Sequence, residues 1–365
     1  MFFLDFSYKI KFYILGTNIY SKSFFIISSK TAFSVHSENM DKDIRLLYVA
    51  LQSDNVEMLS QLINTGLQLD LKVPDPDHVL PPFLQNEPPI ISMTVYYGAR
   101  NCFKLIADRY QEFFAVDNLN HPITLFAILG GDCDLIDMLK KVGQNFSECL
   151  PFAAQNGKGT VFRFIYQLYN EAIDLNSHDE TGNASIHYAA QNGDFELIKF
   201  LKDNGAEMDI KNKQGMTALA LAAKNGYADI VRYLAKLDAV DVNSKDIHGV
   251  TPLYWCVEGG YSDCVSFLLE ADGVKINETD ENGFAPLHVS ALKGYAPIVT
   301  AITTGHDADV TLITGDGRSV LHCAAENGNE EIVRYILSLG KLDVNLKSKD
   351  GIFFLYFFNM APIHY

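Results

Sequence analysis

The sequence predicts an all-α repeat solenoid of stacked helix-turn-helix units with short β-turn arms, about nine helix pairs in all. Three observations carry this. A glycine that follows a polar turn recurs at Gly182, Gly215, Gly249, Gly283, Gly317 and Gly351, with a period of 33 or 34 residues, and a period in that range marks stacked supersecondary units. After the glycine a helix is set to begin, most plainly at Thr251-Pro252-Leu253: a hydroxyl to cap orphan amides, a proline for the first helical position, and the first residue of an apolar stripe. A further glycine, at Gly193, Gly226, Gly260, Gly294 and Gly328, ends that helix. The second helix then carries the i, i+3, i+4 pattern of a face buried on one side, as in Ile230-Val231 and Tyr233-Leu234. A single unit cannot bury these faces, so stability has to come from neighbours.

Read in order, residues 1–39 differ from the rest in their density of aromatics, among them Phe2, Phe3, Phe6, Tyr8, Phe24 and Phe25, broken by Asp5, Lys9 and Lys22. No uninterrupted apolar run there approaches the roughly 18 to 20 residues of a membrane span. Met40 is followed by repeat-like sequence, and the expectation is that translation starts there, with an interfacial anchor as the alternative. Residues 40–178 carry the helix-pair template in worn form, with the helix turn at Asp54, Gly98, Gly131 and Gly157. The prolines in 70–89 exclude a helix and require an extended loop, either an inert insertion or a binding element. Between Gly131 and Gly157 too few residues remain for an arm, so 143–148 is expected to be a tight link. Residues 179–351 are the regular array.

In 352–365, Ala361-Pro362-Ile363-His364 continues the repeat but lies too far from Gly351. The apolar run 352–360 between them reads as a translated intervening sequence at a misread gene boundary, and it is expected to pack poorly.

The regular units carry versions of one pattern: Ala184-Ser185-Ile186-His187-Tyr188-Ala189, Thr217-Ala218-Leu219-Ala220-Leu221-Ala222, Thr251-Pro252-Leu253-Tyr254-Trp255-Cys256, Ala285-Pro286-Leu287-His288-Val289-Ser290 and Ser319-Val320-Leu321-His322-Cys323-Ala324. It resembles the T-P-L-H-x-A of the ankyrin repeat. The resemblance is specific over 179–351 and weaker over 40–178. In that family the histidine ties successive turns together through backbone hydrogen bonds, which implies a structural role for His187, His288 and His322; at Ala220 and Tyr254 those bonds should be missing or rebuilt. Tyr227, Tyr261 and Tyr295 follow the helix-turn glycine in three consecutive units and should form a column, closing the seam between repeats or offering a ligand surface. Trp255 is expected to be mostly buried. The contexts of Asn243 and Asn345 are similar to asparagine-hydroxylation substrates among ankyrin proteins, although asparagine also simply suits such a turn.

A formal charge of −16 makes the chain a poor candidate for phosphate-backbone binding, which needs a basic face. The six cysteines form no CxxC pair and read as thiols of a reducing compartment. No phosphate loop, nucleophile elbow or zinc-protease motif is present. His306-Asp307-Ala308-Asp309 offers too few ligands for a metal. No cofactor, metal or catalytic residue is expected, and no nucleic-acid partner.

What the resemblance implies is a non-enzymatic scaffold or adaptor inside the cell, in cytoplasm or nucleus, that binds other proteins. Its partner-binding residues would be Gln214, Met216, Ile247, His248, Val250, Glu281, Asn282, Phe284, Asp316 and Arg318 on the arms. On the first helices they would be Lys224, Glu258, Lys293 and Glu326, beside Gln191, Asn192, Asn225, Leu292 and Asn327. Two alternatives stand beside this reading: the targeting array of a larger enzyme or signalling protein, and a membrane-tethered adaptor.

Overall fold

The computed structural model describes residues 32–68, 72–73, 81–109, 116–169, 172–305, 307–340 and 342–354. Its helices fall into nine pairs: α1 (Ala32–Gln52) with α2 (Val56–Asn64), α3 (Ile90–Tyr96) with α4 (Arg100–Arg109), α5 (Ile123–Gly130) with α6 (Cys133–Lys141), α7 (Leu150–Gln155) with α8 (Gly159–Leu168), α9 (Ser185–Asn192) with α10 (Phe195–Asp203), α11 (Ala218–Asn225) with α12 (Ala228–Leu234), α13 (Pro252–Glu258) with α14 (Ser262–Leu269), α15 (Pro286–Lys293) with α16 (Ala296–Thr303), and α17 (Val320–Asn327) with α18 (Glu330–Ser338). From α3 onward each first helix packs on the first helix of the next unit, and from α10 onward the second helices do likewise. The chain is therefore two layers of helices around one continuous apolar core that runs from Ile44 to Phe354. No helix among the described residues is long and apolar enough to cross a membrane. Residues 1–31, on which a tether would depend, lie outside them, and α1 already begins at Ala32.

The helix starts follow the sequence. Thr251 caps α13 by accepting from the Tyr254 amide, with Pro252 in the first position, and Thr217 does the same for Ala220. All nine helix turns fall in the left-handed region, from Asp54 at φ +50° to Gly131 at +80°. Asp54, lacking the glycine's freedom, also serves the neighbouring unit. Its carboxylate accepts from the amides of Asn101 and Cys102 at 2.8 to 3.1 Å, capping the helix there.

The arms have a local cause that the repeat pattern alone does not show. A short polar side chain three residues ahead of the glycine accepts the amides two and four residues on. Asn212 takes Gln214 and Met216 at 2.9 and 3.0 Å, Asp246 takes His248 and Val250 at 2.9 and 3.0 Å, and Asp280 takes Asn282 and Phe284 at 2.9 and 2.8 Å. These are side-chain-locked turns of the kind Asp and Asn favour. Asp117 locks Leu119 and His121 in the same way, with Asn120 at φ +64° where later units have glycine.

Successive arms are then joined edge to edge. The amide of Lys213 donates to Thr181 O at 3.2 Å, Ile247 to Gln214 O at 3.1 Å, Glu281 to His248 O at 3.0 Å, Gly315 to Asn282 O at 2.6 Å and Lys349 to Asp316 O at 2.9 Å. The expected tight link is present between α6 and α7, where Phe146 is fully buried and its amide donates to the Tyr169 hydroxyl at 2.9 Å.

The inserted segment is described at its edges only. Val73 N donates to Pro88 O at 3.0 Å, and Lys72 and Glu87 both reach Asn118. Its short 3₁₀ turn Pro82–Leu84 buries Leu84 and places Phe83 on His121, ring centroids 4.7 Å apart. In the tail the expectation of poor packing fails for the first residues. His322 Nε2 reaches Ile352 O at 3.0 Å, Lys347 bridges Phe353, and Phe354 is 3 % exposed. Ile352–Phe354 thus close a seventh arm in unbroken register, because the apolar residue after Phe353 fills the slot that Val320 fills one unit earlier. Residues 355–365, including Ala361-Pro362-Ile363-His364, lie outside the described residues.

Candidate protein-interaction surface

The histidines are structural, and their geometry shows how. Ala184 N donates to His187 Nδ1 at 3.0 Å, which leaves the ring proton on Nε2, facing Ile210 O at 3.1 Å and Met216 O at 3.2 Å in the next unit. His288 repeats this between Ala285 N and Leu312 O at 3.2 and 2.9 Å. Burial holds both imidazoles neutral: the pKa of His187 is lowered and that of His288 falls to about 4. Where tyrosine replaces histidine the tie is rebuilt, since the Tyr254 hydroxyl donates to Asp280 Oδ2 at 3.1 Å across the same seam. Ala220 has only the Thr217 cap on its amide.

The tyrosine column closes seams, as the packing reading has it. A Cβ placed on Gly193 would meet the Tyr227 ring at 2.6 Å, one on Gly226 the Tyr261 ring at 2.6 Å, and one on Gly260 the Tyr295 ring at 2.9 Å. Each ring lies against the helix turn of the preceding unit. Asn243 is bound at both ends of its carboxamide, donating to Gly273 O at 2.9 Å and accepting from Lys275 N at 2.7 Å. Asn277 does the same with Asp307 O and Asp309 N. These asparagines are bridges between linkers.

The thiols are all free. Burial raises Cys102 and Cys323 to about 12 and Cys149 to about 11, which keeps them protonated and unreactive. Among the described residues no group of three or more His, Cys, Asp or Glu could hold a metal ion; His306 lies outside them.

Of the surface residues the sequence nominates, Gln214, Ile247, His248, Glu281, Asn282 and Asp316 are exposed along the row of arms, and Gln191, Asn192, Lys224, Asn225, Lys293, Glu326 and Asn327 along the first helices. Two nominations are corrected: Met216 and Val250 are 3 % and 7 % exposed. The residue after the arm glycine closes the hairpin, pairing with Asn212 and Asp246 respectively, so its side chain turns back to the core. Phe284 is half-buried, with the Arg318 guanidinium over its ring at 5.2 Å. Arg318 in turn lies 2.7 Å from both Asp316 and Glu326. Glu258 and Lys293 pair across neighbouring units at 2.7 Å, and this hydrogen bond raises the lysine pKa.

Trp255 is mostly buried, as expected, with a minor part of its surface open; its indole N–H donates to Asp246 Oδ2 at 3.2 Å and Lys224 Nζ sits 4.3 Å above the ring. Its position in the repeat is core-facing, and the helical period does not show the part of the ring that stays open.

A family model described as ankyrin repeats in three copies matches residues 114–212, 150–246, 186–280, 238–314 and 272–350, which together run through more than half of the chain. The chain belongs to the ankyrin-repeat family. The match begins at 114, so part of the worn first half shares the ankyrin pattern. Among relatives, the chain is 38 % identical over 79 residues to an ankyrin repeat domain-containing protein 37 of Xenopus tropicalis, covering 22 % of this chain and 48 % of the relative. It is 34 % identical over 83 residues to a Notch-regulated ankyrin repeat-containing protein of Xenopus laevis, covering 22 % of this chain and 73 % of that protein. It is 36 % identical over 67 residues to protein phosphatase 1 regulatory subunit 27 of Mus musculus, covering 18 % of this chain and 44 % of that protein. The chain thus spans about half the length of the first and third of these relatives.

Proposed function

We propose that the chain is a non-enzymatic scaffold or adaptor that meets other proteins along its arm tips and the exposed sides of its first helices. One observation carries the reading: backbone hydrogen bonds fix the arms from Thr181 to Lys349 into a single row, and that repeating frame presents unlike side chains outward, Gln214, Ile247, His248, Glu281, Asn282 and Asp316. A fixed frame with varied tips suits recognition of an extended protein surface. The groups that acid–base chemistry would draw on, His187 and His288, are instead committed to backbone bonds. Free thiols throughout fit a reducing compartment, the cytoplasm or nucleus. A second reading, an array that directs a catalytic partner, is favoured by the likeness to a phosphatase regulatory subunit.

Affinity capture with the full chain tests the proposal. A combined Ile247→Asp, His248→Ala and Glu281→Lys variant should lose the proteins that the native chain retains, while melting at the same temperature. An unchanged set of captured proteins would count against the arm row as the binding surface.

A further inference from the structure

Five residues before the helix turn, each unit places one side chain at the same level of its first helix; in the six units from α5 to α15 these are Phe126, Phe152, Tyr188, Leu221, Trp255 and Val289. Phe126, Tyr188, Leu221 and Val289 are buried, whereas Phe152 and Trp255 keep a minor part of their surface open. Phe152 is covered by the chain itself: Phe83 of the inserted segment lies 6.2 Å from it, edge-on to Phe126 at 4.8 Å. Among the described residues no ring covers Trp255. Lys224 Nζ stands 4.3 Å over its ring, and its N–H is already bound to Asp246. Lys224 is exposed and has no carboxylate within ion-pair distance among the described residues, unlike Lys293 with Glu258 or Arg318 with Glu326. Ile247, which follows Asp246 in sequence, is 63 % exposed.

We infer that Trp255 and Lys224 form a docking point for an extended segment of a partner protein in which an apolar side chain stands beside an aspartate or glutamate. The inference rests on the reading of the chain as a protein-binding array and narrows it to one site. The apolar side chain covers the indole as Phe83 covers Phe152, and the carboxylate completes the charge pair that Lys224 lacks. A partly open tryptophan with a cation on its face is a strong anchor once water is excluded around it. A basic segment is disfavoured at the same spot, because Lys224 meets it with like charge.

A randomised peptide library displayed on phage, selected on the immobilised full chain, supplies the probe, and the fluorescence of Trp255, the single tryptophan, reports binding in solution. Selected peptides should carry Asp or Glu next to an apolar residue and shift that fluorescence. They should weaken by about tenfold or more with Lys224→Glu, the size of one lost anchor contact, and by less with Lys224→Gln. Lys236→Glu, exposed just beyond α12, should leave binding unchanged as a charge-matched control. Basic peptides, peptides indifferent to Lys224→Glu, or no recovered peptide would overturn the inference. Each of those outcomes leaves the capture of whole proteins to decide the wider reading on its own.

Discussion

His288 shows at the residue scale how a repeated side chain serves the fold and sets its response to pH. Its Nδ1 accepts from Ala285 N, so a second ring proton would face an N–H, and its burial lowers the pKa to about 4. The unfolded chain keeps the ordinary value of about 6.5. Between these values the unfolded state binds more protons, so this contribution is complete above about pH 6.5 and is lost as pH falls towards 4. It amounts to on the order of 3 kcal/mol. Denaturant melts across that range should show stability falling with pH, and His288→Asn should flatten the fall; an identical pH profile in the variant would remove the histidine from the account.

Two left-handed glycines, one at a helix turn and one in the linker after α14, permit a paired test. Gly226 and Gly273 share a left-handed backbone, φ +75° and +72°, but only Gly226 lies under a ring, with Tyr261 2.6 Å from an added Cβ. Gly273→Ala should cost about 1 to 2 kcal/mol for its backbone alone, and Gly226→Ala about 1 to 3 kcal/mol more for the overlap. The excess should vanish in a Tyr261→Ala background, as thermal melts of the four variants would show. The histidine role was legible in the sequence because it recurs with the period. The burial of Met216 and Val250 was not, because a residue beside a turn glycine looks like a tip until the hairpin partner is known.

At the scale of the element, the arm is a turn locked by one polar side chain and fastened to its neighbour by one backbone hydrogen bond. Its signal was in the sequence, three residues ahead of each glycine, but Asp, Asn, Thr and Ser share the position at Asp246, Asn212, Thr314 and Ser348, which blurs it as a motif. The helix pairs were far more legible, since glycine ends and apolar stripes follow from helical geometry alone. Leu253, 1 % exposed at the start of α13, should cost roughly 2 to 5 kcal/mol when changed to alanine. His248→Ala, exposed on an arm, should stay within about 0.5 kcal/mol of the native chain. Calorimetry giving the reverse order would mean the repeat register is wrong. Phe83 was illegible for a different reason: the prolines around it announce a loop, and nothing local says that the loop's aromatic folds back onto Phe126 and His121.

At the scale of the whole molecule, one core threads the nine helix pairs of the described residues, and the side facing away from it is divided between arm tips, first helices and second helices. The count of units and their turn positions could be read in advance because each unit repeats the same physical problem of burying two apolar faces. The partner surface could be read only as a set of candidates, since tip residues make no periodic contact that would mark them. Hydrogen exchange on the full chain, free and bound to a protein partner recovered by affinity capture, decides whether that surface is the one used. Binding along the arm row should add protection to the arms around 212–216, 246–250 and 280–284 and to α11, α13 and α15, with α12, α14 and α16 unchanged; protection confined to those second helices would contradict it.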